Sequence, residues 1–293
     1  MADKPTITQA MIKAYDDYTH LTLDRRGFME KLTKLAGSGA AAAAIAPMLA
    51  ANSAHAAVVA ADDARLDTSD VTFPGAGVQE MKGYLVTPAE NSGPWPAVIV
   101  IHENRGLNDH IRDIARRLAI DGFAALAVDF LSPLGGTPAD EDKAREMIGQ
   151  LESDETTANA AAARAWLAGH DKTNGNIGAI GFCWGGGLVN QLAVNDAELG
   201  AGVAYYGRQP ETAAVASIKA PLLLHYAGLD ERINSGIDAY RAALEAGGKN
   251  FEIHVYEGVN HAFNNDTSAA RYDKTAADLA WSRTLAFFKH NLA

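Results

Sequence analysis

Six stretches of the chain are apolar on consecutive positions, and segments with helical spacing lie between them. The runs are "PAVIVIH" (96–102), "FAALAVDF" (123–130), "IGAIGF" (177–182), "AGVAYY" (201–206), "PLLLHYA" (221–227) and "FEIHVYE" (251–257). A strand apolar on both faces is buried on both faces, as in a parallel sheet covered by helices. Two earlier runs differ. "VTFPG" and "EMKGYLVTP" are short, and the second alternates, which predicts an antiparallel start to the sheet. Between the strands, Ile111, Ile114, Ala115, Leu118 and Ala119 share one helical face, with Asn108 or Asp109 as N-cap. Further helices are predicted near 139–151, 156–169, 187–194, 235–246 and 272–290. This alternation predicts one α/β domain over residues 71–293, a doubly wound, mostly parallel sheet with helices on both faces. In such sheets the reacting groups gather at the carboxyl ends of the strands.

The strand ends hold chemistry. "GFCWGG" follows the strand at 177–182 and contains Cys183, the chain's one cysteine. Gly181-x-Cys183-x-Gly185 has the form of a nucleophile elbow with cysteine in the place of serine. That turn holds its nucleophile at positive φ, and its neighbours must lack Cβ so that strand and helix can approach. The N-terminus of the next helix favours a thiolate. A base and an orienter are needed, and two later strand ends supply them: Asp230 in "GLDERI" and His261 in "GVNHAF". The order Cys183, Asp230, His261 is the nucleophile–acid–histidine order of the α/β-hydrolase fold. Glu103 follows the strand at 96–102, where that fold places a second oxyanion-binding amide. The backbone N–H groups of Trp184 and Asn104 are therefore the expected oxyanion pair. Arg105 and Arg208, with Tyr205 and Tyr206, lie in or beside strand-end loops and are the candidate substrate-binding residues. His102 and His110 lack the H-E-x-x-H spacing of a zinc site. His225 and His254 fall inside strands as packing or edge residues.

These residues resemble the dienelactone hydrolase family, the carboxymethylenebutenolidase-like enzymes. "HENRG", Asp129-Phe130, "GFCWGG", "YYG", "GLD" and "NHAF" carry the resemblance, which runs from about residue 71 to the C-terminus. It implies an ester or lactone hydrolase with a Cys183–His261–Asp230 triad, a thioester intermediate, a part for Glu103 in activating the thiol, and no metal or organic cofactor. Related cysteine-dependent thioester or amide hydrolysis, or a non-catalytic redox-sensing protein on this scaffold, are the competing expectations. Dienelactone-cleaving members grip the substrate carboxylate with two arginines. Here Pro133 and Asn265 stand at those places, so any acidic substrate is expected to lean on Arg105 or Arg208.

Ahead of the domain, 1–56 resembles a bacterial twin-arginine signal peptide, with 57–70 as linker. Arg25-Arg26 precede Phe28, an Ala/Gly-rich run follows, and Ala54-His55-Ala56 gives an A-x-A cleavage pattern. Asp24 and Glu30 depart from that pattern. Upstream, Met11, Ile12, Tyr15 and Tyr18 follow helical spacing, which would suit an uncleaved helical extension instead. The signal implies the twin-arginine export machinery as partner and a periplasmic or secreted product, with a cytoplasmic one if the segment is not a signal. The run is short and interrupted by Pro47, so no permanent membrane anchor is expected. The formal charge of −11 argues against nucleic acid, which needs clustered Lys and Arg. The expected partner is a small ester or lactone.

Overall fold

A computed structural model describes residues 6–20, 22–50, 58–77, 80–90 and 93–293. The Ala54-His55-Ala56 pattern lies outside the described residues. Among the described residues, eight strands form one sheet: β1 (Leu66–Phe73), β2 (Met81–Pro88), β3 (Trp95–Ile101), β4 (Ala124–Asp129), β5 (Thr173–Phe182), β6 (Ala201–Tyr205), β7 (Leu222–Ala227) and β8 (Phe251–Tyr256). Their spatial order is β1-β2-β4-β3-β5-β6-β7-β8. β2 pairs antiparallel with β1 and β4, and the remaining pairs are parallel. This is the α/β-hydrolase fold anticipated from the unbroken apolar runs.

Both faces of β3, β4, β6, β7 and the second half of β5 are buried, and alternate residues serve opposite layers. Ile99, Ile101, Leu126 and Val128 pack with Leu188 and Leu192 of α7 (Trp184–Asn195) and with Tyr240 and Leu244 of α9 (Ile237–Ala246). Val98, Val100, Ala125 and Ala127 pack on the other side, against Ile111, Ile114 and Leu118 of α4 (Asp109–Ile120) and Phe288 of α10 (Lys274–Leu292). Asn108 caps α4 through its side chain. The remaining helices of this region are α5 (Glu141–Ile148), α6 (Ser153–Ala168) and the single turn α8 (Glu231–Asn234).

Three local expectations need correction. The sheet begins at Leu66, inside the stretch expected to be linker 57–70. β1 is an edge strand with most side chains in solvent, so it shows polar residues where a buried strand would be apolar. Part of the remaining linker is anchored as well: the Val58 and Val59 amides donate to the buried Asp113 carboxylate. The run at 251–257, expected to be buried on both faces, forms β8 at the opposite edge of the sheet, where every side chain of the strand except Tyr256 is half-buried or exposed. The helix expected over 235–246 forms as α9, preceded by the single turn α8, which Asp230 caps by accepting from the Ile233 amide. α7 starts at Trp184, three residues before the expected start at 187, because the small residues Gly185 and Gly186 sit inside its first turn where an apolar period cannot register.

The N-terminal segment folds as three helices: α1 (Gln9–Thr19), α2 (Arg25–Ala36) and α3 (Gly39–Leu49). Their N-caps are Thr8, Asp24 and Ser38, each accepting from an amide in the first turn. Asp24, a departure from the signal pattern, thus has a structural task. Pro47 lies within α3 rather than ending it. Met11, Ile12, Tyr15, Tyr18, Phe28 and Leu32 are buried together in a small core separate from that of the sheet. Among the described residues no single helix is long and apolar enough to cross a membrane, though α2 and α3 taken together, bent by 113°, have that length and composition.

Candidate active site

Cys183 sits between β5 and α7 at φ 56°, ψ −114°. Its amide donates to the Tyr205 carbonyl at 3.0 Å and its own carbonyl accepts from the Gly187 amide at 3.1 Å, which fixes the turn at both ends. The glycines are required by contact. A Cβ on Gly181 would stand 2.1 Å from the Gly185 carbonyl oxygen, and one on Gly185 would stand 2.5 Å from the His102 and Ile101 carbonyl oxygens. Among the described residues, Cys183, Tyr206 and Ala262 are the non-glycine residues at positive φ, and all three surround the thiol. Strain concentrated this way is held by the packing around it and marks a functional site.

Asp230 follows β7 and His261 follows β8, and the parallel register of those strands brings the two loops together. His261 Nδ1 and Asp230 Oδ2 are 2.5 Å apart, and both side chains are buried. The other imidazole nitrogen, Nε2, is buried and has no hydrogen-bond partner among the described residues. A His261 ring nitrogen and the Cys183 sulfur lie within 4.8 Å of each other. Burial pushes the Cys183 thiol up, but the imidazoles of His20 and His261 outweigh it and bring the pKa down to about 6. Burial acts to lower His261, but Asp230 and Cys183 override it and hold the imidazole well above its ordinary value. Burial likewise pushes Asp230 up, and the adjacent imidazole reverses that and holds the carboxyl below its usual range. The structure therefore favours a thiolate–imidazolium pair braced by a carboxylate.

The other expected residues divide. Glu103 is buried, and its Oε2 accepts from Asn265 Nδ2 at 2.7 Å. Trp184 opens α7, where the first amides have no acceptor inside the helix. Asn104 lines the cavity beside Cys183. That cavity, of about 440 Å³, also takes in Tyr206, Arg208 and His261. Tyr205 turns the other way, with its hydroxyl on Thr284 in the core at 2.7 Å. Arg105 is already engaged by Glu141 and by the hydroxyl of Tyr15. His102 does not face the cavity. Its Nδ1 donates to the Glu103 carbonyl at 2.6 Å and its Nε2 accepts the Phe130 amide at 3.3 Å, so it ties the ends of β3 and β4. His225, buried between Tyr256 and Thr284, is a packing residue as expected.

Two groups at the site carry no motif in the sequence. One is Arg271, buried beside Glu103, Cys183 and His261, with Asp16 of α1 on its guanidinium at 3.3 Å. The other is His20, at the C-terminal end of α1. Its Nε2 is 3.3 Å from Cys183 Sγ, and its ring meets that of His261 edge-on at 4.7 Å. α1 is held there by a set of polar contacts. Asn104 Nδ2 donates to the Thr19 carbonyl, and the Arg145 guanidinium lies 3.9 Å from the centre of the Tyr18 ring. Thr19 and His20 consequently line the cavity that holds the thiol.

The sequence model of the Dienelactone hydrolase family matches residues 81–292. A "Putative carboxymethylenebutenolidase" of Escherichia coli O157:H7 is 31% identical over 248 residues, covering 79% of this chain and 90% of that protein. A relative with the same description from Saccharolobus solfataricus is 32% identical over 246 residues, covering 72% and 94%. Among solved structures, a dienelactone hydrolase homologue from Klebsiella pneumoniae superposes with a TM-score of 0.69 at 29% identity, over 76% of this chain and 98% of that one. The match spans strands β2 to β8, the elbow and the loops that carry Asp230 and His261, so the chain belongs to the dienelactone hydrolase family of ester and lactone hydrolases.

Proposed function

We propose that the enzyme cleaves its ester or lactone through a thioester on Cys183. The observation that carries this reading is the nucleophile at a positive-φ elbow, facing an imidazole that Asp230 holds by its far nitrogen. The Cys183 thiolate adds to the substrate carbonyl, and the oxyanion is met by the Trp184 and Asn104 amides. His261 gives its proton to the departing alkoxide as the tetrahedral intermediate collapses to the thioester. It then takes a proton from water, whose oxygen attacks the thioester and releases the acid and the thiol. Glu103, pinned by Asn265, contributes a fixed negative charge near the thiol, so that the resting pair is poised rather than freely reactive. The test is a panel of aryl esters, lactones, thioesters and anilides with rapid quenching and intact-mass detection. One acyl group per chain on Cys183, and a burst of one equivalent of phenol, are expected with esters. Turnover of an aryl ester with no acyl adduct on Cys183 under rapid quench, and no burst, would reject the thioester route.

The segment 1–56 is proposed to direct export through the twin-arginine machinery. Arg25-Arg26, the apolar run through α3 and the Ala54-His55-Ala56 pattern support this. Arg25 and Arg26 are exposed on the first turn of α2, paired with Asp142 and Glu30 at the surface, and so are accessible to a receptor. Cleavage after Ala56 would also take α1 away from the thiol. Replacing both arginines by lysine is expected to leave the uncleaved chain in the cytoplasm. A wild-type product that keeps its N-terminus and is not exported would reject the export reading.

A further inference from the structure

The contact of His20 with the nucleophile assembles more than a covered active site. Three soft donors from distant parts of the chain converge: His20 from the end of α1, Cys183 from the elbow, and His261 from the loop after β8. Their ligand atoms all lie within 4.8 Å of one another, with His20 Nε2 and Cys183 Sγ at 3.3 Å. Two donors on one tetrahedral zinc ion, at bond lengths of about 2.0–2.3 Å, stand about 3.5 Å apart. One pair is already at that spacing, and the third donor lies within 4.8 Å of both.

The surroundings are those of a metal site. A metal-bound histidine commonly fixes its second nitrogen on an oxygen, which sets the tautomer and aims the free nitrogen. Both imidazoles do so here. His20 Nδ1 rests 2.7 Å from the Asp16 carbonyl oxygen, and His261 Nδ1 rests on Asp230. His261 Nε2, fully buried, has no hydrogen-bond partner among the described residues. The side toward the cavity is open for a fourth ligand such as water. Asp230, Glu103 and Asp16 supply negative charge around the trio. Thiolate with two imidazoles is a donor set suited to zinc rather than to magnesium or calcium.

We propose that His20, Cys183 and His261 form a Zn²⁺ site in the chain that retains α1, and that Zn²⁺ bound there silences the nucleophile. Binding forms a sulfur–zinc bond, releases the thiol proton to solvent where the thiol was protonated, and involves no redox change. The site exists only while α1 is docked, so removal of residues 1–56 would dismantle it. The inference does not depend on the hydrolase reading, because its main readout is spectroscopic.

The test uses the purified full-length chain, stripped of metal and titrated with Co²⁺ and then with Zn²⁺. One Co²⁺ per chain with a thiolate-to-cobalt charge-transfer band is expected, lost on adding Zn²⁺. Loss of a known outer-sphere partner weakens a metal site by about 10–100-fold. His20→Ala removes a ligand outright and is expected to weaken binding by more than that. His20→Gln, which keeps a polar end at the α1 terminus, serves as the second variant, and each is checked for native circular dichroism. Esterase activity of the wild type should fall in step with Zn²⁺ and return with a chelator. Absence of the charge-transfer band in the wild type, or Co²⁺ affinity unchanged in both His20 variants, would overturn the proposal.

Discussion

Cys183→Ala is expected to lower kcat/KM for aryl esters by on the order of 10⁴–10⁶-fold, as removal of a nucleophile does in other triad enzymes. No other cysteine is present to substitute. Stability should change little. The side chain is one heavy atom beyond Cβ, and deletions of that size in a core cost about 1 kcal/mol. Alanine also keeps the amide and carbonyl contacts that fix the turn. The triad predicts non-additivity as well. Asp230 acts through His261, so Asp230→Asn combined with His261→Ala should be hardly slower than His261→Ala alone. The pH dependence has a definite sign. With the thiol brought to about 6, the reactive thiolate is formed as pH rises through that value, so the rate climbs on the acid side near 6. Steady-state kinetics with thermal unfolding of each variant checks all of this. An active Cys183→Ala protein, or losses at Asp230 and His261 that multiply, would remove the triad from the mechanism.

The sheet and the meeting of Cys183, Asp230 and His261 at its carboxyl edge were legible because each leaves a local signature. Apolar runs mark strands buried on both faces, and the elbow glycines mark a turn whose backbone contacts exclude a Cβ. Asp230 and His261 were found by position after a strand, a rule that topology enforces. β1 was missed over its first residues because an edge strand needs no apolar face. His20 was missed for a different reason. It meets Cys183 across 163 positions of sequence, through a helix whose periodicity announces only its own small core. The periodicity of Met11, Ile12, Tyr15 and Tyr18 predicted that a helix exists and left open where it docks. Arg271 was equally silent, since a lone arginine in a loop gives no sign of burial. The assignment of Tyr205 to the substrate side does not hold because Tyr205 is the last residue of β6 with its side chain in the core, whereas Tyr206 lies just beyond the strand at positive φ. Tyr206 reaches the cavity, and Tyr205 reaches Thr284.

Substrate charge should be read by Arg208. Asn265, at the place where dienelactone-cleaving relatives were expected to carry an arginine, donates to Glu103 and offers no cation. Of the arginines near the thiol, Arg105 is engaged by Glu141 and Tyr15, and Arg271 by Asp16. Arg208 is exposed and lines the larger cavity beside Trp184 and Tyr206. Arg145 and Arg232 line the same cavity; Arg145 is held by Asp142 and the Tyr18 ring, and Arg208, whose backbone rests against the first turn of α7, is the guanidinium expected to meet a carboxylate on the substrate. A charge-assisted hydrogen bond contributes about 1.5–3 kcal/mol, which corresponds to roughly 10–150-fold in rate. The measurement is kcat/KM for two esters that differ only in a distal carboxylate. Arg208→Ala is expected to lower the acidic-to-neutral ratio by about tenfold or more. Arg105→Ala, which loosens α1 and the loop after β3 together, should change both rates alike. A ratio unmoved by Arg208→Ala would show that this arginine does not read charge. A ratio that collapses in Arg105→Ala or Arg271→Ala instead would place the anion in the smaller pocket beside Glu103, where α1 now sets Tyr15 and Asp16.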